Sequence, residues 1–250
     1  MYIKKGLTTR RMVIIGLLGA ISIVLGLVPG LGFIPVGPTR ATIMHIPVII
    51  GAILEGPFVG GMIGLIFGFF SLFQAATNPT PVSFVFLNPL VSIVPRILIG
   101  IITHYVYTLV KNLGKRKVLW ILNIIWVLIL AYLLYGIYTG IREGQSIGIL
   151  IVNTLLSIFT LAIGIYSHKK LKNQAVDIML ATSIGTLTNT VGVLFTIYIL
   201  YAEEFVMKLG QSPDMARKVI TGIGITNGIP EIVIGIIIVT NVVAALSRNK

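Results

Sequence analysis

Long apolar runs alternate with short polar or Gly/Pro-rich breaks along the whole chain. Eight runs stand out, at roughly 12–28, 42–54, 57–75, 88–110, 118–139, 146–167, 176–201 and 219–246. A bilayer-crossing helix needs about 20 predominantly apolar residues, so the pattern predicts an all-α, polytopic helical bundle. The second run is short. The break after it, Leu54–Phe58, predicts two helices and a tight turn, because Pro57 suits the first turn of a helix, where its missing N–H costs nothing. The basic stretch Met1–Arg11 before the first run has the outline of a signal peptide. It lacks a small-residue cleavage site followed by a soluble domain, so we read residues 1–250 as a single integral membrane domain.

Composition agrees with this reading. The chain is 56% hydrophobic and 10% charged, against about 25% charged in an average soluble protein. It has no cysteine, which excludes disulfides and thiolate chemistry. The net charge of +12 raises the question of nucleic acid, and the placement of the charge answers it. With the N-terminus inside, the inner segments hold Lys4, Lys5, Arg10, Arg11, Lys111, Lys115, Arg116, Lys117, Lys169, Lys170, Lys172, Arg248 and Lys250. The outer segments hold only Arg40, Arg142, Lys208, Arg217 and Lys218. This positive-inside bias predicts an even number of crossings, with both termini cytoplasmic in a cell membrane. No basic patch on a water-facing domain is left over to bind nucleic acid.

Polar residues interrupt the apolar runs at a common depth. Asn88, Pro89, Pro95 and Arg96 fall in the fourth run, Thr186, Asn189 and Thr190 in the seventh, and Thr226, Asn227, Pro230 and Glu231 in the eighth. His45 lies at the mouth of the second. Counted from the outer ends at 1.5 Å per residue, Arg96, Asn189, Asn227 and Glu231 sit on the order of 12–18 Å down. Such residues are costly in hydrocarbon and tend to face a cavity or one another. Two readings stand side by side. Arg96 and Glu231 could pair and simply hold two helices together, or the cluster could line a cavity open to the outside. Pro230 favours the cavity, since it frees the carbonyl of Thr226, four residues earlier. Glu55, in the turn between the second and third runs, is expected to face water or the interface.

Glycines predict close packing. Gly60, Gly64 and Gly68 form a ridge on one face of the third run, and Gly16 and Ala20 share that spacing in the first. The ridge reads as internal packing, whereas for Gly16 and Ala20 a partner interface competes. No P-loop pattern is present, so the chain does not itself hydrolyse ATP in that manner. An intramembrane enzyme would need a paired acid, a metal cluster or an activated nucleophile, and only one intramembrane carboxylate is apparent. We therefore expect neither an enzyme nor a cofactor. A stand-alone secondary transporter of a small organic anion is the stronger rival, although the internal repeats such folds often carry are not apparent.

The segment ATIMHIPVIIGAILEGPFVGGMIGLIFGFFSLFQA, with FLNPLVSIVPRILIG, GTLTNTVGVLF and GITNGIPEIVIG, resembles the substrate-capture S components of energy-coupling factor (ECF) vitamin transporters. The likeness is greatest to pantothenate-type members. The middle, about 112–172, departs from the six-helix pattern as an inserted helical hairpin. The resemblance implies capture of a vitamin from outside beneath a loop, here Val28–Arg40, and delivery with a membrane coupling subunit and two cytoplasmic ATPases. Gly16 and Ala20 are the nearest match to the family's small-residue docking face. A carboxylate-bearing vitamin such as pantothenate would suit Arg96, with Asn189, Thr190 and Asn227 holding amide and hydroxyl groups and His45 and Asn88 close by. Glu231 would orient Arg96 or accept a substrate hydroxyl.

Overall fold

The computed structural model describes residues 8–28, 32–36, 39–113, 115–142, 144, 147–170 and 173–247. Lys4, Lys5, Lys172, Arg248 and Lys250, and residues 29–31, 37 and 38 of the loop, lie outside the described residues. The helices are α1 (Thr9–Leu27), α2 (Ile46–Glu55), α3 (Pro57–Thr77), α4 (Pro89–Ser92), α5 (Val94–Leu113), α6 (Lys115–Arg142), α7 (Ile147–Lys170), α8 (Asn173–Lys208) and α9 (Ala216–Ser247). Six segments among the described residues are long and apolar enough to cross a membrane: Thr9–Leu27, Pro57–Thr77, Pro89–Leu113, Leu119–Arg142, Ala175–Lys208 and Pro213–Leu246. The protein is a multi-pass membrane protein.

The second apolar run differs from its neighbours. Helix α2 has only ten residues, about 15 Å at 1.5 Å per residue, which is half a hydrocarbon core. It is preceded by a feature that the apolar pattern did not predict. Residues 33–36 (β1) and 39–42 (β2) form an antiparallel hairpin with Phe33 opposite Thr42 and Val36 opposite Thr39. The hairpin lies against α9 and leads into α2. Glu55, at the end of α2, does not face water freely. It pairs with Arg10 at 2.8 Å and its side chain is 11% exposed, so it ties the start of α1 to the α2–α3 turn.

The glycine ridge on α3 faces α5. A Cβ on Gly60 would lie 2.9 Å from the Cα of Gly100, and one on Gly68 would lie 2.8 Å from the Cα of Ile93. A Cβ on Gly64 would run into the backbone carbonyl of Arg96. Only hydrogen fits at these points, and the two backbones approach accordingly. Around this pair, Ile49, Ile63, Phe67, Ile99, Ile178 and Val239 build a core shared by α2, α3, α5, α8 and α9. The α6–α7 hairpin packs on the flank of α8 and α9, where Leu122, Trp126, Ile129 and Leu133 meet Val176, Met179, Leu180 and Ile236.

On α1, Ile15, Gly19, Ser22 and Gly26 turn inward. Met12, Val13, Leu17, Ile21 and Val24 are exposed on the opposite side, together with Gly16 and Ala20. A Cβ on Gly16 would meet nothing within 4 Å.

Candidate functional site

The site begins with a break in a helix. Asn88 caps α4 by accepting from the N–H of Leu90 at 2.9 Å, and the helix stops at Ser92. Residue 95 is proline, so the carbonyl of Val91 lacks the N–H donor that residue i+4 would supply in a regular helix. Arg96 takes that place: its Nη1 donates to Val91 O at 2.5 Å. The guanidinium lies 5.3 Å from the Phe67 ring centroid and 5.6 Å from that of Phe86. Its Nη2 reaches Ser71 Oγ at 3.5 Å, and Nε has no partner among the described residues. Arg96 is 6% exposed.

Arg96 and Glu231 do not pair. Arg10–Glu55 is the ion pair found among the described residues, which corrects the reading of Arg96 and Glu231 as a tie between two helices. Each has other partners. Glu231 accepts from the backbone N–H of Thr42 at 2.7 Å through Oε1 and from the Thr190 hydroxyl at 2.8 Å through Oε2. Arginine stays protonated in proteins, so Arg96 is a buried cation steadied by aromatic faces and one carbonyl, with no carboxylate in contact. Such a charge is costly until an anion reaches it.

Arg96, Asn189, Thr190, Asn227 and Glu231 line a single cavity of about 570 Å³. That lies within the range of small-molecule sites, roughly 300–1,000 Å³. Asn189 is 5% exposed and its Oδ1 has no partner among the described residues. A second groove, of about 680 Å³ between α8 and α9, is lined mainly by apolar side chains such as Leu187, Val191, Phe195 and Ile229. Its polar members are Thr190, Tyr198, Arg217 and Thr221, and it has no buried cation comparable to Arg96.

Two of the residues anticipated for the site lie elsewhere. His45 is fully buried behind the wall, with Nε2 3.1 Å from Thr186 Oγ1. Asn88, besides capping α4, donates through Nδ2 to Tyr201 OH at 3.0 Å. Tyr201 is where α8 bends, with φ −142° and ψ 19°, so Asn88 ties two helix breaks together.

With this geometry in view, a family model described as "ECF transporter, substrate-specific component" matches residues 10–243. The chain belongs to this family. Among curated relatives, the pantothenic acid transporter PanT of Lactococcus lactis subsp. cremoris is 35% identical over 89 residues, 30% of this chain and 45% of that protein. The pantothenate transporter PanT of Leuconostoc mesenteroides subsp. mesenteroides is 31% identical over 176 residues, 61% of this chain and 86% of that protein. The match thus spans less than half of the first relative and most of the second.

This substrate-specific component also uses residues that the pattern of intramembrane polar positions did not single out. Phe67, Ser71, Gln74 and Asn78 all line the cavity. Their spacing of four, three and four puts them on one face of α3 and its C-cap. That stripe was readable, but its polar members sit at the C-terminal end of a run, where polar residues are ordinary. Gln74 also donates to the carbonyl of Gly26 at 3.3 Å, which fastens the end of α1 to the cavity wall. Phe73, adjacent in sequence, points outward and is 58% exposed.

Proposed function

We propose that the chain captures pantothenate as the S subunit of an ATP-driven ECF importer. The observation that carries this reading is the buried, unpaired Arg96 in a cavity that also holds Asn189, Thr190 and Asn227. A planar guanidinium matches a carboxylate in a bidentate manner. Pantothenate has a carboxylate at one end and an amide and hydroxyls farther along. In this reading the carboxylate takes Arg96 and the amide and hydroxyls take the Asn and Thr side chains. The names of the two PanT relatives support the same solute.

In this proposal the ligand enters from the extracellular side, both termini are cytoplasmic, and ATP hydrolysis belongs to two partner subunits joined through a membrane coupling subunit. The α6–α7 hairpin is an addition to a six-helix core within one membrane domain. The exposed face of α1 around Gly16 and Ala20 docks the coupling subunit, because small side chains there let another helix approach closely.

Proteoliposomes test the assembly. Pantothenate uptake is expected only when the coupling and ATPase subunits and ATP accompany the chain. Gly16→Trp should abolish co-purification of the coupling subunit and uptake, while pantothenate binding by the isolated chain stays within about twofold, since Gly16 is far from any contact. Uptake by the chain alone, driven by an ion gradient, would instead identify a secondary transporter, a reading to which the helix break at Ile93 also lends itself.

A further inference from the structure

We propose that Glu231 anchors the end of the β-hairpin at the cavity wall, and so positions Thr42 there instead of serving as the ligand's own partner. Resting on the reading that this cavity captures the solute, the proposal assigns Glu231 a role in retention. Three observations carry it. First, both carboxylate oxygens are engaged by the protein: Oε1 by the Thr42 N–H and Oε2 by the Thr190 hydroxyl. Second, the side chain is 3% exposed and, although Arg96 acts on it through space, it makes no contact ion pair among the described residues, so these two hydrogen bonds are its direct contacts. Third, Thr42 is the last residue of β2 and pairs with Phe33 of β1. A bond to its backbone therefore holds both strands.

Through Glu231 the hairpin is joined to α9, and through Thr190 to α8, the two helices that supply Asn227 and Asn189 to the cavity. Proline at 230 lies directly before the anchor. Any rearrangement of α9 at that point would move the carboxylate away from Thr42. Release of the hairpin and loosening of the α8–α9 wall would thus be one event.

The absence of cysteine makes the test direct. A spin label on Thr39→Cys, at the start of β2, reports hairpin mobility in ligand-free protein, and pantothenate association and dissociation are followed by stopped flow. Glu231→Ala is expected to mobilise the label and raise koff about tenfold or more, with kon changed less than about threefold. Glu231→Gln keeps an oxygen to accept from the Thr42 N–H and offers an NH₂ to Thr190, so it should restore both readouts. Thr190→Val removes one of the two bonds and should give intermediate label mobility; because Thr190 also faces the solute, the label alone is read for this variant, and it carries the test if the alanine variant does not fold. An immobile label in both Glu231→Ala and Thr190→Val overturns the proposal. So does Glu231→Gln behaving like Glu231→Ala, since charge and not hydrogen bonding would then be required. Failure of the unsubstituted protein to bind pantothenate would overturn the ligand assignment and leave the label readout standing as the test of the anchor.

Discussion

Arg96→Ala is expected to weaken pantothenate binding by about 30-fold to a few thousandfold while leaving the fold intact. The estimate follows from removing one partner of a buried charge pair, which costs roughly 2–5 kcal/mol, at 1.4 kcal/mol per tenfold. The folded protein loses little, because the guanidinium makes one close hydrogen bond, to the Val91 carbonyl, and no ion pair. Relief of an unpaired buried cation offsets that loss. Titration calorimetry and thermal unfolding in the same detergent separate the two effects. Arg96→Lys should recover only part of the affinity, since an ammonium cannot present a planar fork. If Arg96→Ala lowered folding yield as much as affinity, the residue would be structural and the cavity assignment would lose its main support.

The second large effect is on the fold. Gly64→Ala should destabilise the protein by about 1–3 kcal/mol, a typical cost of overpacking. At roughly 2–4 °C per kcal/mol for a chain of this size, the thermal midpoint falls by several degrees. The physical cause is narrow: the new Cβ would enter the space of the Arg96 carbonyl oxygen, and backbone cannot rotate out of the way as a side chain can. Separating α3 from α5 would also move Arg96 relative to Phe67 and Ser71, so affinity should fall together with stability. Gly61→Ala is the control. Its Cβ would find Ile97 Cγ2 at 3.8 Å and Ile101 Cγ1 at 3.9 Å, ordinary contact distances, so no loss of stability is expected there. A matching loss at Gly61 would mean that helix propensity or membrane exposure, and not the α3–α5 approach, controls the outcome.

Counting along the apolar runs grouped most of the cavity's polar residues and missed the direction of others. Counting 1.5 Å per residue from the ends of apolar runs placed Arg96, Asn189, Asn227 and Glu231 at one level, and these four line one cavity with Thr190. Depth alone does not say which way a side chain points around its helix. His45 and Asn88 have suitable depth and chemistry, yet one turns behind the wall to Thr186 and the other to Leu90 and Tyr201. Charge complementarity suggested that Arg96 and Glu231 meet. Two of their actual partners were invisible to that reasoning because they are backbone groups: a carbonyl released by Pro95, and an N–H on a hairpin 189 positions away from Glu231.

The membrane pattern was equally informative up to a point. Long runs became long helices, and Pro57 begins α3 as its first residue. The short second run became a ten-residue helix because the preceding residues spend their length as strands. Periodicity in an apolar chain cannot separate a strand pair from a loop when only four residues form each strand. The glycine ridge was legible as packing, whereas its position opposite the Arg96 backbone, which links packing to the site, emerges only from the fold.

The central claim is that an unpaired Arg96 in this cavity receives the carboxylate of pantothenate. Calorimetric titration of the purified chain, without ATP or an ion gradient, tests it most directly when pantothenate is compared with pantothenol, in which an alcohol replaces the carboxylate. The account predicts tight binding of pantothenate and an affinity for pantothenol lower by about 30-fold or more, the loss of one buried charge-assisted contact. Equal affinity for the two, or no binding of pantothenate at all, would contradict it.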